Sequence, residues 1–144
     1  MKGDAMIVGR DYIGVGCGAF ILNDAKELLL QQRNKAPEKG FWSIPGGKLE
    51  MFETFEEAVK REVREETDVE IEIIALLGIC DHIIENEKLH WVAPSYLCKI
   101  TKGEPSIMEP TKHIDMQWFS LDNLPENITI TAKNAIENYK KLKQ

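Results

Sequence analysis

The sequence predicts a mixed α/β (α+β) fold, with a mixed β-sheet held between helices. Two observations carry this. Short β-rich segments recur along the chain, and helical periodicity is confined to two stretches, one early and one late. The 144 residues are enough for one domain with a real core and too few for two, so residues 1–144 are read as a single domain.

Residues 1–11 carry little pattern and read as a frayed lead-in. Tyr12 to Leu22 alternates and is β-rich, which predicts a strand with Gly14, Gly16 and Gly18 on one face. Bare backbone there admits either a ligand or a closely packed neighbour. Gly14, Gly16 and Ala19 also fit a degenerate dinucleotide fingerprint. Asn23-Asp24 turns into another strand instead of opening a helix, so that reading is rejected. Glu27 to Arg33 is a second strand and Phe41 to Ile44 a brief third, after which Pro45-Gly46-Gly47 forms a tight bend towards the first helix. Glu70 to Asp81 and Lys88 to Ile100 are two long strands joined at Glu85-Asn86-Glu87. His82 and His90 flank that turn, a weak zinc hint without a third ligand. Thr101 to Asp115 is a long polar loop, Met116 to Phe119 a short strand, and Thr131 to Leu142 a final helix. Ala135, Ile136, Tyr139 and Leu142 form the apolar stripe of that helix, and Lys140, Lys141 and Lys143 suit the negative end of its dipole.

Composition narrows the function. Hydrophobic content of 43% and charged content of 29% describe a soluble globular protein. No signal-peptide pattern and no membrane-length apolar run is present. Cys17, Cys80 and Cys98 are odd in number and lack a CxxC pair, so they read as buried thiols of a reducing cytoplasm. A net charge of −6 argues against a nucleic-acid polymer as partner, yet an acidic protein binds a small polyphosphate when divalent metal bridges the two sets of anions.

The early helix is the informative element. Thr54 followed by Glu57 is a capping box, so the helix starts just after Thr54. At about 100° per residue, one face carries Phe55, Ala58 and Val59 and then Glu62, Glu65 and Glu66. The side that should keep burying apolar groups therefore presents three carboxylates at i, i+3 and i+4. Such a cluster repels itself and resists desolvation unless a cation sits among it, and oxygen ligands suit Mg²⁺ or Mn²⁺.

The stretch Gly47 to Val69 resembles the Nudix box, G-x5-E-x7-R-E-U-x-E-E-x-G-U with U a bulky aliphatic residue. Gly47, Glu53, Arg61, Glu62, Val63, Glu65, Glu66 and Val69 fall on their pattern positions, and Asp68 replaces the last glycine. That glycine would close the helix in the left-handed conformation, where Asp is among the less penalised substitutes. The preceding Pro-Gly-Gly is also similar to the family.

The resemblance implies an α/β/α sandwich from Tyr12 to Tyr139 and metal-dependent hydrolysis of a nucleoside diphosphate linked to a further group. Glu62, Glu65 and Glu66 would hold the metal, Arg61 would position a box glutamate, and Glu53 would point back as a ligand through water or as a base. Arg33, Gly46 and Gly47 are the candidate substrate contacts, with Glu109 as an extra carboxylate recruited from outside the box. Members preferring ADP-ribose often carry a proline about sixteen residues past the box, and those preferring dinucleoside polyphosphates a tyrosine. Glu85, Asn86 and Glu87 stand there instead, which favours nucleoside triphosphates. ADP-ribose or another nucleoside-diphosphate sugar is the alternative, and a non-catalytic nucleotide sensor the second. The expected partner is a small nucleotide, with no membrane and with room for a homodimer.

Overall fold

The computed structural model describes residues 5–143. Seven strands and two helices run in the order β1 (Gly14–Ile21), β2 (Glu27–Arg33), β3 (Trp42–Ser43), β4 (Gly46–Lys48), α1 (Phe55–Thr67), β5 (Glu70–Ile84), β6 (Leu89–Lys102), β7 (His113–Ser120) and α2 (Ile130–Leu142). They form a four-stranded sheet in the order β4-β1-β6-β5 and a three-stranded sheet in the order β3-β2-β7. The β1–β6 pair is parallel and the other pairs antiparallel, so the predicted mixed α+β architecture holds.

Both helices start where the sequence supplies a cap. The Thr54 hydroxyl accepts from the Glu57 N–H at 3.2 Å, and the Glu57 carboxylate accepts from the Thr54 N–H at 3.0 Å. Thr129 caps α2 through the Ala132 N–H. At the far end of α1, Asp68 adopts the left-handed conformation (φ 60°), and its N–H donates to Arg64 O.

The apolar half of α1 packs Ala58, Val59 and Val63 against Ile21, Leu29, Val69, Ile71 and Cys98. A second core gathers Phe20, Leu28, Leu30, Trp42 and Ile44 under Ala132, Ala135, Ile136 and Tyr139 of α2, with Phe20 stacked on Tyr139 at 5.0 Å. The three cysteines are buried and unbonded.

Several expectations need correction. Gly46 and Gly47 belong to a strand, because β4 pairs with β1 from Gly16↔Lys48 to Gly18↔Gly46. The lead-in is ordered from Ile7 onwards: Gly9 N–H donates to Tyr12 O, and Gly9 O accepts from His90 N–H of β6. Residues 1–4 of that lead-in lie outside the described residues. β7 begins at His113, three residues earlier than predicted, since Arg33 pairs with His113 past a bulge. Leu142 leaves the α2 stripe and is exposed, while Ala132 joins it. The long β5 edge strand shifts register between Ile73 and Ala75 and between Leu76 and Gly78.

These caps yield one prediction. Thr54→Ala should lower stability by about 1 kcal/mol, and Asp68→Gly should raise it by up to about 1 kcal/mol by relieving the left-handed residue. Chemical denaturation of both variants against the parent measures each shift.

Candidate active site

Antiparallel pairing of β4 with β1 lays a nearly bare backbone against the carboxylate end of α1. The Gly46 N–H donates to Glu66 Oε1 at 2.8 Å. A Cβ on Gly47 would stand 2.4 Å from the Glu62 carboxyl carbon, so only glycine leaves that carboxylate its place. At Gly46 a Cβ would meet Cys17 O at 2.2 Å. Gly47 thus makes room for Glu62, and Gly46 for the close approach of the β1 backbone.

Arg61 is the hub of the acidic group. Its guanidinium donates to both Glu53 oxygens at 2.6 and 2.9 Å, to Glu62 Oε1 at 2.8 Å, to Glu65 Oε1 at 3.1 Å and to Lys48 O at 3.0 Å. This bonding holds the Glu53 carboxyl down at about 2 and pushes the Arg61 pKa up. Glu62 moves the other way: burial raises it despite Arg61. Glu66 is 6% exposed, and burial pushes it up to about 8, reinforced by the charges of Glu62 and Glu109.

Among the described residues, no three His, Cys, Asp or Glu side chains converge into a preformed metal cage. Glu62 and Glu65 both turn to Arg61, and the Glu65 side chain is half exposed. His82 and His90 do not close a zinc site either. The donor set nevertheless suits a hard cation. Hard oxygen ligands gather at Glu62 and Glu66, and burial disfavours the charged form of both.

Glu62 and Glu66 open on a cleft of about 570 Å³ between the two sheets' edges and the N-terminus of α2. Arg33, Gly46 and Gly47 line it, as do three lysines, Lys35, Lys48 and Lys112. Arg33 is held by the loop after β2 through Pro37 O at 2.7 Å, and burial lowers its pKa. Glu109 does not line the cleft; its carboxylate pairs with Lys112 at 3.1 Å, and the turn it starts ends at His113. His113 Nε2 stands 3.7 Å from Glu66 Oε2, but burial and the Arg33 charge push the imidazole down to about 4. It is neutral at pH 7, so the contact is not an ion pair.

Sequence reasoning missed Lys35, Lys112 and Trp91 as cleft residues. Nothing local marks Lys112 except the i,i+3 spacing from Glu109. Trp91 is signalled only through the glycine-rich face of β1: a Cβ at Gly14 would lie 2.5 Å from its ring, whereas Gly16 lines the cleft, where a Cβ would meet Gly47 O at 3.0 Å. Close packing and cleft lining thus divide that glycine row between them.

A NUDIX domain model matches residues 13–139. The crystal structure of a MutT NUDIX hydrolase from Burkholderia pseudomallei superposes with a TM-score of 0.84 at 44% identity, covering 88% of this chain and 97% of that one. A Methanocaldococcus jannaschii protein named ADP-ribose pyrophosphatase is 31% identical over 129 residues, 90% of this chain and 74% of its own length. A Bacillus subtilis protein named as a candidate 8-oxo-dGTP diphosphatase is 29% identical over 125 residues, 85% of this chain and 78% of its own. The chain spans about a third of the length of the longer curated relatives it matches. With the domain model covering most of the chain, the chain belongs to the NUDIX family, pyrophosphatases acting on phosphoric anhydrides.

Proposed function

We propose that the chain hydrolyses a nucleoside diphosphate linked to a further group, with nucleoside triphosphates, cleaved to the monophosphate and pyrophosphate, as the favoured substrates. One observation carries this reading. Two adjacent carboxylates, Glu62 and Glu66, are held where burial opposes their charge, in the lining of a cleft that also carries Arg33, Lys35 and Lys112. Anions placed so need a cation among them, and the basic residues opposite suit phosphate.

Glu62 and Glu66, with Glu65 once released from Arg61, would hold Mg²⁺ or Mn²⁺. Such an ion would supply positive charge to the phosphate oxygens and acidify the attacking water. Arg33 and the cleft lysines orient the phosphate chain, and the bare Gly46-Gly47 backbone lets it approach. Water oxygen bonds to phosphorus while the anhydride P–O bond breaks, and the water proton passes to a carboxylate. Glu53, held near 2 by Arg61, is a poor acceptor of that proton. Arg61 acts as a positioning residue, since all its donors are spent on Glu53, Glu62, Glu65 and Lys48 O.

The triphosphate preference rests on Glu85–Glu87, a tight exposed turn without the proline or tyrosine of the other branches. ADP-ribose stays as the second reading because the archaeal relative carries that name. Incubation with nucleoside triphosphates, ADP-ribose and dinucleoside polyphosphates, with products resolved, separates them. Release of pyrophosphate from triphosphates supports the first; exclusive cleavage of ADP-ribose to AMP and ribose phosphate overturns it.

Three outcomes are expected. Glu66→Gln should cut turnover at least a hundredfold and abolish the rise in melting temperature that Mg²⁺ gives the parent. Turnover equal to the parent's would sink the assignment. Gly47→Ala should displace Glu62 and lower turnover at least tenfold while the fold, followed by circular dichroism, stays intact.

The third concerns pH in the presence of a chelator. Glu66 titrates higher folded than unfolded, so its contribution is full below about 4.5 and is lost as pH rises through 8. His113 titrates lower folded than unfolded, so its opposing effect ends near 6.5. From pH 6.5 to 8 the parent should lose stability on the order of 1 kcal/mol, and Glu66→Gln should not. Denaturation curves at the two pH values decide it.

A further inference from the structure

The carboxylates occupy one end of the cleft, and the other end holds chemistry that the hydrolysis leaves unused. Gly14, Trp91 and His82 form one row across the sheet, Gly14 paired with Trp91 and Trp91 with His82. The next positions along the same face are small: Ala93 opposite Cys80, and Ser95 between Gly18 and Gly78. Trp91 and His82 are thus the bulky side chains over a floor of small ones, and both line the cleft with Gly16, Ala93 and Ser95. A flat floor with an indole wall takes a planar ring, and an aromatic face stacks on any nucleobase.

The indole cannot drift. Cβ atoms at Gly14 and Gly9 would stand 2.5 and 2.0 Å from it, so the ring fills the space both glycines leave. Gly9 is in turn tied to β6 through the His90 N–H at 2.7 Å.

Glu38 closes this end. Its side chain is 11% exposed; Oε1 stands 3.0 Å from His82 Nε2, and Oε2 accepts the Ile130 N–H at 2.9 Å. Its backbone is left-handed (φ 59°), a conformation costly for any residue but glycine and held here by the Phe41 N–H on Glu38 O. A carboxylate offers about four acceptor sites, so acceptor capacity remains towards the cleft that Glu38 lines. Guanine presents two adjacent donors, N1–H and the 2-amino group, on its Watson–Crick edge. Adenine and cytosine set a ring acceptor beside their amino group, which a carboxylate repels.

The separation also fits. β4, beside Glu62 and Glu66, and β5, carrying His82, are opposite edges of one sheet. Three inter-strand steps of about 4.8 Å place these ends roughly 14 Å apart, a span suited to phosphates and a ribose. Resting on the nucleotide reading above, we propose that Trp91, His82 and Glu38 form a nucleobase subsite, in which Trp91 stacks the ring and Glu38 selects guanine-type bases.

Isothermal titration with GMP and AMP tests the subsite without hydrolysis. GMP should bind the parent at least tenfold tighter than AMP. Glu38→Gln should erase that preference, and Trp91→Ala should weaken both ligands at least tenfold. Equal binding of GMP and AMP by the parent, or a preference surviving in Glu38→Gln, overturns the proposal. Should Glu38→Gln not fold, IMP, which lacks the 2-amino group, serves on the parent: tenfold weaker binding than GMP supports the subsite and equal binding overturns it. Selective GMP binding without cleavage of any triphosphate keeps the subsite and defeats the proposed reaction. Cleavage of triphosphates without base preference does the reverse.

Discussion

The contact between the Gly46 amide and the Glu66 carboxylate is the constraint on which the rest of this structure turns. It requires a strand that opens with two glycines beside a helix whose apolar face ends in acids. The strand is made by Gly46 and Gly47 pairing with β1; the helix is anchored by Ala58, Val59 and Val63 at its other end. Burial of the apolar half therefore drives the acidic half into a place it would otherwise avoid, and hydrophobic energy is stored as a poised pair of carboxylates. Arg61 moderates the arrangement from the solvent side, neutralising Glu53 and part of Glu62 while leaving Glu66 to the interior.

Much of this was legible in the chain, for reasons that are local. The capping box at Thr54 and Glu57 announces the start of α1, and helical spacing alone puts Glu62 and Glu66 on the packed face. The substitution at Asp68 is absorbed where the left-handed residue was expected. Glu65 shows the limit of such reasoning. It shares the face by angle, but one turn of Arg61 is enough to draw it outwards.

What the sequence concealed is non-local. A three-residue strand of Gly46, Gly47 and Lys48 has no periodicity to detect, and it exists only because β1 supplies a partner. Glu38 sits in a charged loop that looks solvated until β5 and α2 bring His82 and the Ile130 amide to it. Lys112 and His113 reach the cleft because β7 pairs with β2 through a bulge, a register no single segment encodes. The N-terminal turn likewise looks featureless, yet Gly9 is specified by the tryptophan it accommodates.

The irregular register of β5 bears on how the molecule behaves in concentrated solution. This strand is fifteen residues long, borders the larger sheet, and exposes Ile74, Leu76 and Ile79 by more than half. A straight ribbon of that composition would be a template for fibril growth. Two kinks fall among those very residues, so a second chain cannot zip along the whole border in step. The greasy margin is tolerated because it is bent, and straightening it would trade colloidal safety for a few extra backbone bonds.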